Sequence, residues 1–419
     1  MSLEVRAIDE SEFAEWLRTL RVGFLRPPVV SDDEVADRLP HTDLSRTFGA
    51  FDRGRMVATF ASFDQELSTV GGANLAADAV SAVTVSPTHR RRGLLSRMMR
   101  DDLATAKERG DACATLIAAE YPIYGRFGFG PASSLTEWSV DVTRAGFDLH
   151  RPGPGAEGDD GGRIDLTDGA EIRAQGPALH RRLATRRAGI TARKPRNWDV
   201  GTGNSFPSRP WTEPFYAMYR SASGEVEGYV AYTADDKWSD GNQPVQTATV
   251  RDLVAVTPAA ERALWRFVCS IDWITAVRSG NRAPDDLLPL LLPDPRAARV
   301  VSQTDMLWLR ILDVPKVLEP RTYAAEGTLV LDVRDAAGLA GGRYRLDTSP
   351  EQGGSSCVPT DASPDLVLDV AELARLALGD ESVLRLAALG RVEEAAAGAA
   401  ARADLLLRAA RRAWTMDIF

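Results

Sequence analysis

The chain has 419 residues, of which 44% are hydrophobic and 26% are charged. This composition excludes a largely disordered protein, and at roughly 150 residues per domain the length suggests about three domains. The formal net charge of −9 argues against a protein built mainly to bind nucleic acid. It is compatible with a cationic substrate, although ordinary acidic solubility explains it as well.

Strand-like and helix-like periodicities alternate over residues 1–150, and this order predicts a first, α/β domain. The predicted elements are a strand at Leu3–Ile8, a helix capped by Ser11, a hairpin of Thr47–Asp52 and Met56–Phe63, a strand at Ala79–Val85, a helix at Arg90–Arg109 and a buried strand at Ala112–Ala119. Gly110 is expected to end the long helix, because glycine readily adopts the left-handed conformation of a C-terminal cap.

The stretch His150–Gly162 is rich in glycine and proline and predicts a linker. A second domain is expected at 163–315, with strands at Val226–Thr233 and Thr247–Val256 and a helix at Ala259–Ala276. A small α+β domain is expected at 316–419. Its predicted strands are Thr328–Arg334, Arg343–Asp347 and Asp365–Val370, and Ala395–Ala413 is expected to be helical.

A weak internal repeat links the first two domains. Val83–Pro87 and Val254–Pro258 each end a predicted strand and precede a predicted helix. Beyond the proline the copies diverge, since Arg90–Gly93 in the first corresponds to Glu261–Leu264 in the second. The repeat favours two related folds, of which only the first kept a basic glycine loop. Chance similarity of two strand–proline–helix units is the alternative.

The strongest chemical signal is the loop THRRRGLL, residues 88–95, which connects a strand to an amphipathic helix. A helix N-terminus presents backbone N–H groups and partial positive charge, and the arginines add full charges. Gly93 would let a ligand approach the backbone closely. The loop therefore predicts a site for a pyrophosphate or another polyanion, with a solvated basic helix start as the alternative. Neither a P-loop nor a dinucleotide fingerprint is present.

The Arg-x-x-Gly-x pattern of this loop resembles the coenzyme A loop of the GNAT acetyltransferases. Arg90 and Gly93 fit that pattern, and Leu95 departs from it at the last position. Further along, Tyr124–Phe129 resembles the Tyr-x-x-x-Gly-Phe segment of the same proteins, in which the phenol can protonate the departing thiolate. A phenol of pKa about 10 suits a thiol of pKa about 8.5. The alternative is that Tyr124 only packs.

Other kinds of site find no support in the sequence. No apolar run approaches the ~18 residues of a membrane helix, and the N-terminal segment lacks the pattern of a secretory signal. Three widely spaced cysteines, Cys113, Cys269 and Cys357, form neither a disulfide framework nor a zinc set. His89 lies in the basic loop, the other three histidines are isolated, and no Ser/His/Asp arrangement is visible. We therefore expect a cytoplasmic protein without a metal site or a membrane partner.

Several segments in a fixed order resemble the enhanced intracellular survival (Eis) family of acetyltransferases over nearly the whole chain. They are THRRRGLL, IYGRFGFGPA, Leu307–Arg310 before Val314-Pro315, Pro359–Ala362 and an aromatic C-terminus. The resemblance implies a mixed α/β and α+β fold class, with tandem GNAT folds followed by a sterol-carrier-protein-like domain. It also implies acetyl transfer from acetyl-CoA to aminoglycoside or lysine amines, and assembly as a homo-hexamer.

The resemblance assigns roles residue by residue. The backbone of Val83, Thr84 and Val85 would bind the pantetheine arm. The pyrophosphate would be held by Arg91, Arg92, Gly93, Leu94, Leu95 and Ser96, and the gap between the two central strands would be lined by Ala119 and Glu120. Tyr124 would be the general acid, and the α-carboxylate of Phe419 would be the general base.

The last six residues, Trp414–Phe419, are rich in apolar side chains, which argues against a frayed tail. A terminal carboxylate near pKa 3.5 is a weak base, so it would act on an amine already losing its proton, or through water. Ile418 stands where some relatives carry an acid, so the charge near the amine differs here.

Two other functions stay open at this point. One is a long-chain acyl-CoA N-acyltransferase, since protein N-myristoyltransferases also combine tandem GNAT folds with a terminal carboxylate. The other is a lipid- or sterol-binding protein that acts through its C-terminal domain. The acceptor site is not selected by any spacing; its candidate residues are Phe13, Trp16, Phe24, Asp32, Asp33 and Glu34.

Overall fold

The structure is a computed structural model that describes residues 3–146, 161–206 and 211–419. Most of the predicted linker at residues 150–162 lies outside the described residues. The chain divides into two compact units. The first unit consists of the chain up to Ser133, Met306–Ala413 and Asp417–Phe419, and the second of Ser134–Asp305 and Trp414–Met416.

The helices and strands alternate along most of the chain. Residues 4–145 form β1 (Glu4–Ala7), α1 (Phe13–Gly23), α2 (Asp32–Arg38), β2 (Thr47–Asp52), β3 (Arg55–Ser68), β4 (Asn74–Val85), α3 (Leu94–Arg109), β5 (Cys113–Ile117), β6 (Gly130–Pro131), β7 (Ser134–Asp141) and α4 (Val142–Ala145). Residues 163–305 form β8 (Arg163–Thr167), α5 (Gly169–Ala184), α6 (Pro195–Gly201), β9 (Phe215–Arg220), β10 (Val226–Ala234), β11 (Gln246–Ala255), α7 (Pro258–Cys269), β12 (Ile274–Arg278), α8 (Leu288–Leu291) and β13 (Ala298–Asp305). Residues 307–407 form β14 (Leu307–Ile311), α9 (Val314–Leu318), β15 (Gly327–Arg334), β16 (Gly342–Thr348), β17 (Ser356–Pro359), β18 (Leu366–Asp369), α10 (Val370–Ala377), α11 (Val383–Ala388), β19 (Val392–Glu394) and α12 (Ala399–Leu407).

These strands form three sheets. The first unit contains a sheet of order β1-β2-β3-β4-β5-β14-β6 and a smaller one of order β17-β16-β15-β18-β19. The second unit contains a sheet of order β13-β7-β12-β11-β10-β9-β8. In the two large sheets the central pairs, β4 with β5 and β11 with β12, are parallel. Each of these pairs is joined by one helix, α3 or α7, so the sequence repeat corresponds to a repeated strand–helix–strand unit.

Helices cover both faces of the first large sheet. On one face, α3 buries Met99 and Leu103 against strand residues that include Phe60 and Leu116. On the other face, α1 buries Trp16 in a cluster with Phe51 and Met56. Burying apolar side chains on both sides of a sheet is the main source of its stability, and it leaves only the strand ends and loops for a site.

Two predicted element starts in the first unit are wrong. The long helix begins at Leu94 instead of Arg90, because Arg91 and Gly93 adopt left-handed backbone conformations with φ of 63° and 79°. Ser11 is not the cap of the first helix. It lies in a 3-10 turn, Glu10–Glu12, where the Glu12 carboxylate accepts a hydrogen bond of 2.9 Å from the Asp9 N–H. The hairpin and the Gly110 cap are confirmed.

Two predicted helices are too long. The segment Ala259–Ala276 is helical only to Cys269, and Ile274–Arg278 forms β12 because it pairs with β11. The predicted helix Ala395–Ala413 is reduced to α12, since Gly398 caps its start with a left-handed backbone and Arg408 leaves the helix with an extended one. In both cases the apolar spacing continues past the residues that are helical.

Neither a membrane-spanning helix nor a metal cluster is present in the part of the chain that the structure describes. There, no helix is both long and apolar enough to span a bilayer. The same residues contain no group of three or more His, Cys, Asp or Glu side chains arranged to hold a metal ion.

Candidate active site

The central strands of the first sheet separate at their carboxyl ends. β4 pairs with β5 only from Ala77–Cys113 to Ala79–Thr115. Beyond these pairs β5 continues beside β14, and β4 continues beside β3. Among the described strands, none pairs with the other side of β4 from Val80 to Val85. The result is a gap in the sheet, bordered by backbone groups that a ligand can use.

The predicted pantetheine residues lie on the β4 side of this gap. A bulge precedes them, where Ala82 has a φ of 54° and the register with β3 shifts. The side chain of Thr84 is buried and lies 2.7 Å from the hydroxyl of Thr59. Since that side chain is already engaged, a ligand in the gap would meet the backbone of Val83–Val85. Ala119 and Glu120 follow β5, on the opposite side, and Glu120 is exposed.

The basic loop follows β4 directly. Arg91, Arg92 and Gly93 are exposed, while Leu94 is buried and Leu95 and Ser96 are half-buried. Gly93 is the N-cap of α3 and no side chain caps the helix, so the first N–H groups of α3 are free of side-chain partners. A Cβ added to Gly93 would meet no atom within 4 Å. An uncapped helix start with open space and two exposed arginines suits a bound polyanion.

His89 attaches this loop to the neighbouring hairpin. Its Nε2 lies 3.1 Å from the Asp52 carboxylate, and its Nδ1 lies 2.8 Å from the Thr88 hydroxyl. The hydrogen bond from His89 holds the pKa of Asp52 below its usual range. His89 therefore helps to hold the loop in place, a role that its position in the loop sequence did not indicate.

Tyr124 follows β5 in the loop that leads to β6, and its side chain is 8% exposed. Its ring packs against Phe129 and Trp308, with centroid distances of 6.1 and 6.5 Å. Within the described residues its hydroxyl has no hydrogen-bond partner. Burial, and secondly the charge of Glu120, raise the pKa of Tyr124 above its ordinary value. The phenol is therefore protonated throughout the neutral range and available as a proton donor.

Phe419 is seated on the same sheet. Its ring meets that of Phe63 edge-on, with a centroid distance of 5.8 Å. Phe63 pairs with Ala79, and Ala79 pairs with Thr115, so the row of residues that anchors the terminus is the row at which β4 and β5 begin to separate. Ile418 is exposed. The terminal ring thus contacts β3, the strand next to β4, at the level where the gap starts.

The second unit has the same parallel pair, but its gap is filled. β11 pairs with β12 only up to Thr249–Arg278. The chain then turns back along β11: a Cβ on Gly280 would lie 2.6 Å from the Val250 carbonyl oxygen, and Arg282 Nη1 donates to the Leu253 carbonyl at 2.9 Å. The Arg282 side chain is buried against β11. It occupies the edge of β11 that corresponds to the open edge of β4 in the first unit.

Several groups of the second unit hold Arg282 in place. It forms ion pairs with Asp286 at 2.8 Å and Glu261 at 3.5 Å. Its guanidinium lies 5.5 Å from the Trp265 ring centroid and 4.6 Å from that of Trp414. Glu261 stands where the repeat has Arg90 in the first unit, so an acid replaces a base at the helix start. Glu261 is paired with Arg282 and supplies no positive charge to an anion at this helix start.

Trp414–Met416 also belong to the second unit. Trp414 N donates to the Ala188 carbonyl at 2.9 Å, and the Thr415 hydroxyl donates to the Gly189 carbonyl at 2.8 Å. Gly189 has a φ of 90°, and a Cβ there would lie 3.0 Å from the Trp414 N atom. Since Ala413, Trp414 and Thr415 are all buried, the C-terminal segment is packed rather than frayed.

The structure removes three of the six residues that were candidates for the acceptor site. Phe13 and Trp16 are buried core residues and face no site. Glu34 is buried in ion pairs with Arg21 at 2.6 Å and Arg38 at 3.0 Å, which neutralise its charge. The remaining candidates are exposed: they are Phe24, Asp32 and Asp33.

The sequence assigned no role in the site to some of its contributors. Phe63 is an ordinary strand residue, and Trp308 belongs to a segment that carries the family resemblance without a stated role. Their contacts with Phe419 and Tyr124 join distant parts of the chain. Arg282 likewise lies in a loop without a motif. The comparison of the two repeats, in which Glu261 corresponds to Arg90, indicated that the second copy had lost its basic loop, but it did not indicate that Arg282 fills the gap.

Comparisons with known families match almost the whole chain. A model of the acetyltransferase (GNAT) domain matches residues 4–132, and a second acetyltransferase (GNAT) domain model matches residues 189–311. A model of the sterol carrier protein domain matches residues 314–416. The predicted fold class, two GNAT folds followed by a sterol-carrier-like domain, is confirmed.

Individual proteins are similar over comparable lengths. An uncharacterized N-acetyltransferase of Streptomyces griseus is 60% identical over 100% of both chains. The N-acetyltransferase Eis of Mycobacterium tuberculosis is 34% identical over 82% of this chain and 81% of its own. The crystal structure of Eis1 from Mycobacterium abscessus has a TM-score of 0.84 at 29% identity, covering 99% of this chain and 100% of that one.

Proposed function

This chain belongs to the Eis family of GNAT N-acetyltransferases, and on that premise we propose that it transfers the acetyl group of acetyl-CoA to an amine. A GNAT fold takes an acyl-CoA and an amine acceptor. The acceptors we propose are aminoglycoside amino groups and lysine amines. The supporting observation is the gap between β4 and β5, which leads directly into the uncapped, basic start of α3.

The proposed binding roles follow the geometry of that gap. The backbone of Val83–Val85 would bind the pantetheine arm as an added strand would. The segment Arg91–Ser96 would hold the pyrophosphate, and Ala119 and Glu120 would line the opposite side. No such ligand is proposed for the second unit, where Arg282 fills the corresponding edge.

The proposed reaction is a direct transfer. The amine nitrogen attacks the thioester carbonyl, the carbon–sulfur bond breaks, and Tyr124 gives its proton to the sulfur. The α-carboxylate of Phe419 accepts the proton that the amine loses. Tyr124 supports this role because it is buried and protonated, and its hydroxyl is not engaged by another described group.

The test is thiol release from acyl-CoA donors in the presence of an acceptor panel of aminoglycosides, polyamines and lysine peptides. We expect acetyl-CoA to be the preferred donor and at least one amine of the panel to be acetylated. A preference for palmitoyl-CoA or myristoyl-CoA would replace the proposal with the long-chain alternative. Absence of amine-dependent thiol release with every donor would contradict both.

We also propose that the protein assembles as a homo-hexamer, which the family resemblance implies. Light scattering coupled to size exclusion tests this directly. Six copies of the 45.4 kDa chain are expected. A monomer or dimer over the working concentration range would contradict it.

A further inference from the structure

The loop that carries Tyr124 packs against a helix of the sterol-carrier-like segment. Where the loop enters β6, its backbone lies so close to α10 that a Cβ on Gly130 would be 2.0 Å from the Ala371 carbonyl oxygen. A Cβ on Gly128, which has a φ of 82°, would be 3.0 Å from Val370 and 2.8 Å from the Arg310 Nε. Only glycine permits this approach, so the contact is built into the motif itself.

A polar contact joins the same two elements on the solvent side. Arg375 Nη2 on α10 donates to the Tyr121 hydroxyl at 3.1 Å. Arg375 is itself oriented by Glu372, at 3.1 Å one turn earlier in the helix. Tyr121 is half exposed, and its hydroxyl therefore depends on this partner for a fixed position.

Aromatic packing extends this contact to Tyr124. The Tyr121 ring meets Trp308 of β14 edge-on at 4.8 Å, and Trp308 also packs against Tyr124. Trp308 is fully buried and closely packed, so its ring cannot move freely. A shift of the Tyr121 ring would therefore also shift the Tyr124 ring through Trp308. Because the Tyr124 hydroxyl has no partner among the described residues, the packing of its ring determines where that hydroxyl lies.

We infer that α10 holds the loop of Tyr124 in its catalytic position, with Arg375 and Gly130 as positioning residues. This inference rests on the proposed role of Tyr124 as general acid. It assigns the sterol-carrier-like segment a part in amine acetylation that requires no bound lipid. A loop displaced by about 1 Å can cost an enzyme up to about 100-fold in rate.

The first test removes the polar contact. Arg375→Met is expected to lower kcat about 10-fold or more at saturating donor and acceptor, with the Kd for acetyl-CoA unchanged. Tyr121→Phe, which removes the same hydrogen bond from the other side, should do the same. Arg391→Met is the matched control, since Arg391 pairs with the same Glu372 at 3.6 Å but forms no hydrogen bond or ion pair with the described residues of the loop. Arg375→Lys should recover part of the loss.

A double-mutant cycle separates positioning from a general loss of structure. If Arg375 acts through Tyr124, Arg375→Met should have little further effect on kcat in a Tyr124→Phe background. If the kcat losses of Arg375→Met and Tyr124→Phe multiply in the double variant, the inference is overturned, while the proposed role of Tyr124 remains. If Tyr124→Phe alone retains full kcat, the proposed general acid is wrong, and this inference falls with it.

A steric variant approaches the same contact from the loop. Gly130→Ala should push the loop away from Ala371 and lower kcat more than Arg375→Met does. The matched variant is Gly125→Ala, where a Cβ meets no atom within 4 Å, and its kcat should be close to that of the unmodified protein. Equal kcat in Gly130→Ala and Gly125→Ala would contradict the inference. If Gly130→Ala does not fold, the Arg375 and Tyr121 variants decide.

Discussion

The two large sheets both separate after a short parallel pair, and they differ in whether another chain segment fills the space that this leaves. In the first unit, β4 leaves β5 after Ala79 and its far edge remains without a strand partner among the described residues. In the second unit, β11 leaves β12 in the same way, yet Arg282 donates a hydrogen bond to the carbonyl of Leu253 on β11. The two sheets share their topology at this point, and they differ in the chain segment that comes after the second strand of the parallel pair.

The first turns of α3 and α7 also differ: no side chain caps the backbone N–H groups in the first unit, and one side chain does so in the second. Gly93 opens α3 without a side-chain cap, whereas Thr257 caps α7 by accepting a hydrogen bond from the Ala260 N–H. A capped helix start has one N–H fewer for an anion, and Glu261 adds a negative charge beside it. The helix start of the second unit thus differs from that of the first in its backbone cap as well as in its charged residues.

The largest expected effect comes from the chain terminus in the first unit. Appending residues after Phe419 converts its carboxylate into a neutral amide, which cannot accept a proton, so acetyl transfer should be abolished while acetyl-CoA still binds. Deleting Phe419 leaves a carboxylate about 3.5 Å short along the tail and without the contact to Phe63.

A second variant separates the role of the carboxylate from that of the anchoring ring. Phe419→Ala keeps the carboxylate and loses only the anchoring ring, so it should retain more activity than the extended chain. Full activity of a C-terminally extended protein would refute the assignment of the base. Glu120 would then be the first side chain to test.

The next effect concerns the general acid. Tyr124→Phe removes one hydroxyl and keeps the ring, so the protein should fold normally and lose about 10²–10⁴-fold in kcat. Burial raises the pKa of Tyr124, so the acid form persists above the ordinary tyrosine pKa and activity should not fall with deprotonation of this group between about pH 7 and 9. Steady-state kinetics across that range, with acetyl-CoA affinity as the control, measure both points.

A smaller effect is expected from the basic loop, and it falls on binding. Replacing Arg91 and Arg92 with alanine and Gly93 with valine should raise the Kd for acetyl-CoA about 10- to 100-fold, because charge-assisted hydrogen bonds to the pyrophosphate are lost. Arg262→Ala is the matched control, since Arg262 is the exposed counterpart of Arg91 in the second unit. Calorimetry that shows unimpaired binding by the triple variant would contradict the assignment.

The smallest effect on catalysis is expected from opening the second gap. Arg282→Met leaves buried Asp286 without its ion-pair partner, which should lower the free energy of unfolding by about 3–5 kcal/mol. It should create no second coenzyme site, because Glu261 and the cap of α7 remain. Urea unfolding measures the first point, and acyl-CoA binding to the folded variant measures the second.

Local signals predicted the first unit well. The loop Arg90–Gly93 and the Tyr124 segment are contiguous motifs, and strand–helix alternation is visible in any short window. Helix limits were less well predicted. Ile274–Ala276 continues the helical apolar spacing of α7, and its place in the sheet between β11 and β7 makes it a strand. Tertiary pairing overrides local preference at such a position.

Contacts between distant segments could not be predicted. Nothing near Phe63 indicates that it receives the ring of Phe419, and nothing near Arg282 indicates that it satisfies a strand edge. Phe13 and Trp16 were candidates for the acceptor site because of their residue type, yet they fill a core. Residue type alone does not separate a buried aromatic from one that faces a ligand.

We expect the open gap of the first unit to bind acyl-CoA and the closed gap of the second unit not to bind it. Isothermal titration of the intact protein with acetyl-CoA, repeated with the Arg91, Arg92 and Gly93 triple variant, tests it most directly. One site per chain is expected, and its affinity for acetyl-CoA should be strongly weakened in the variant. Two equivalent sites per chain, or a single site unaffected by the triple replacement, would contradict it.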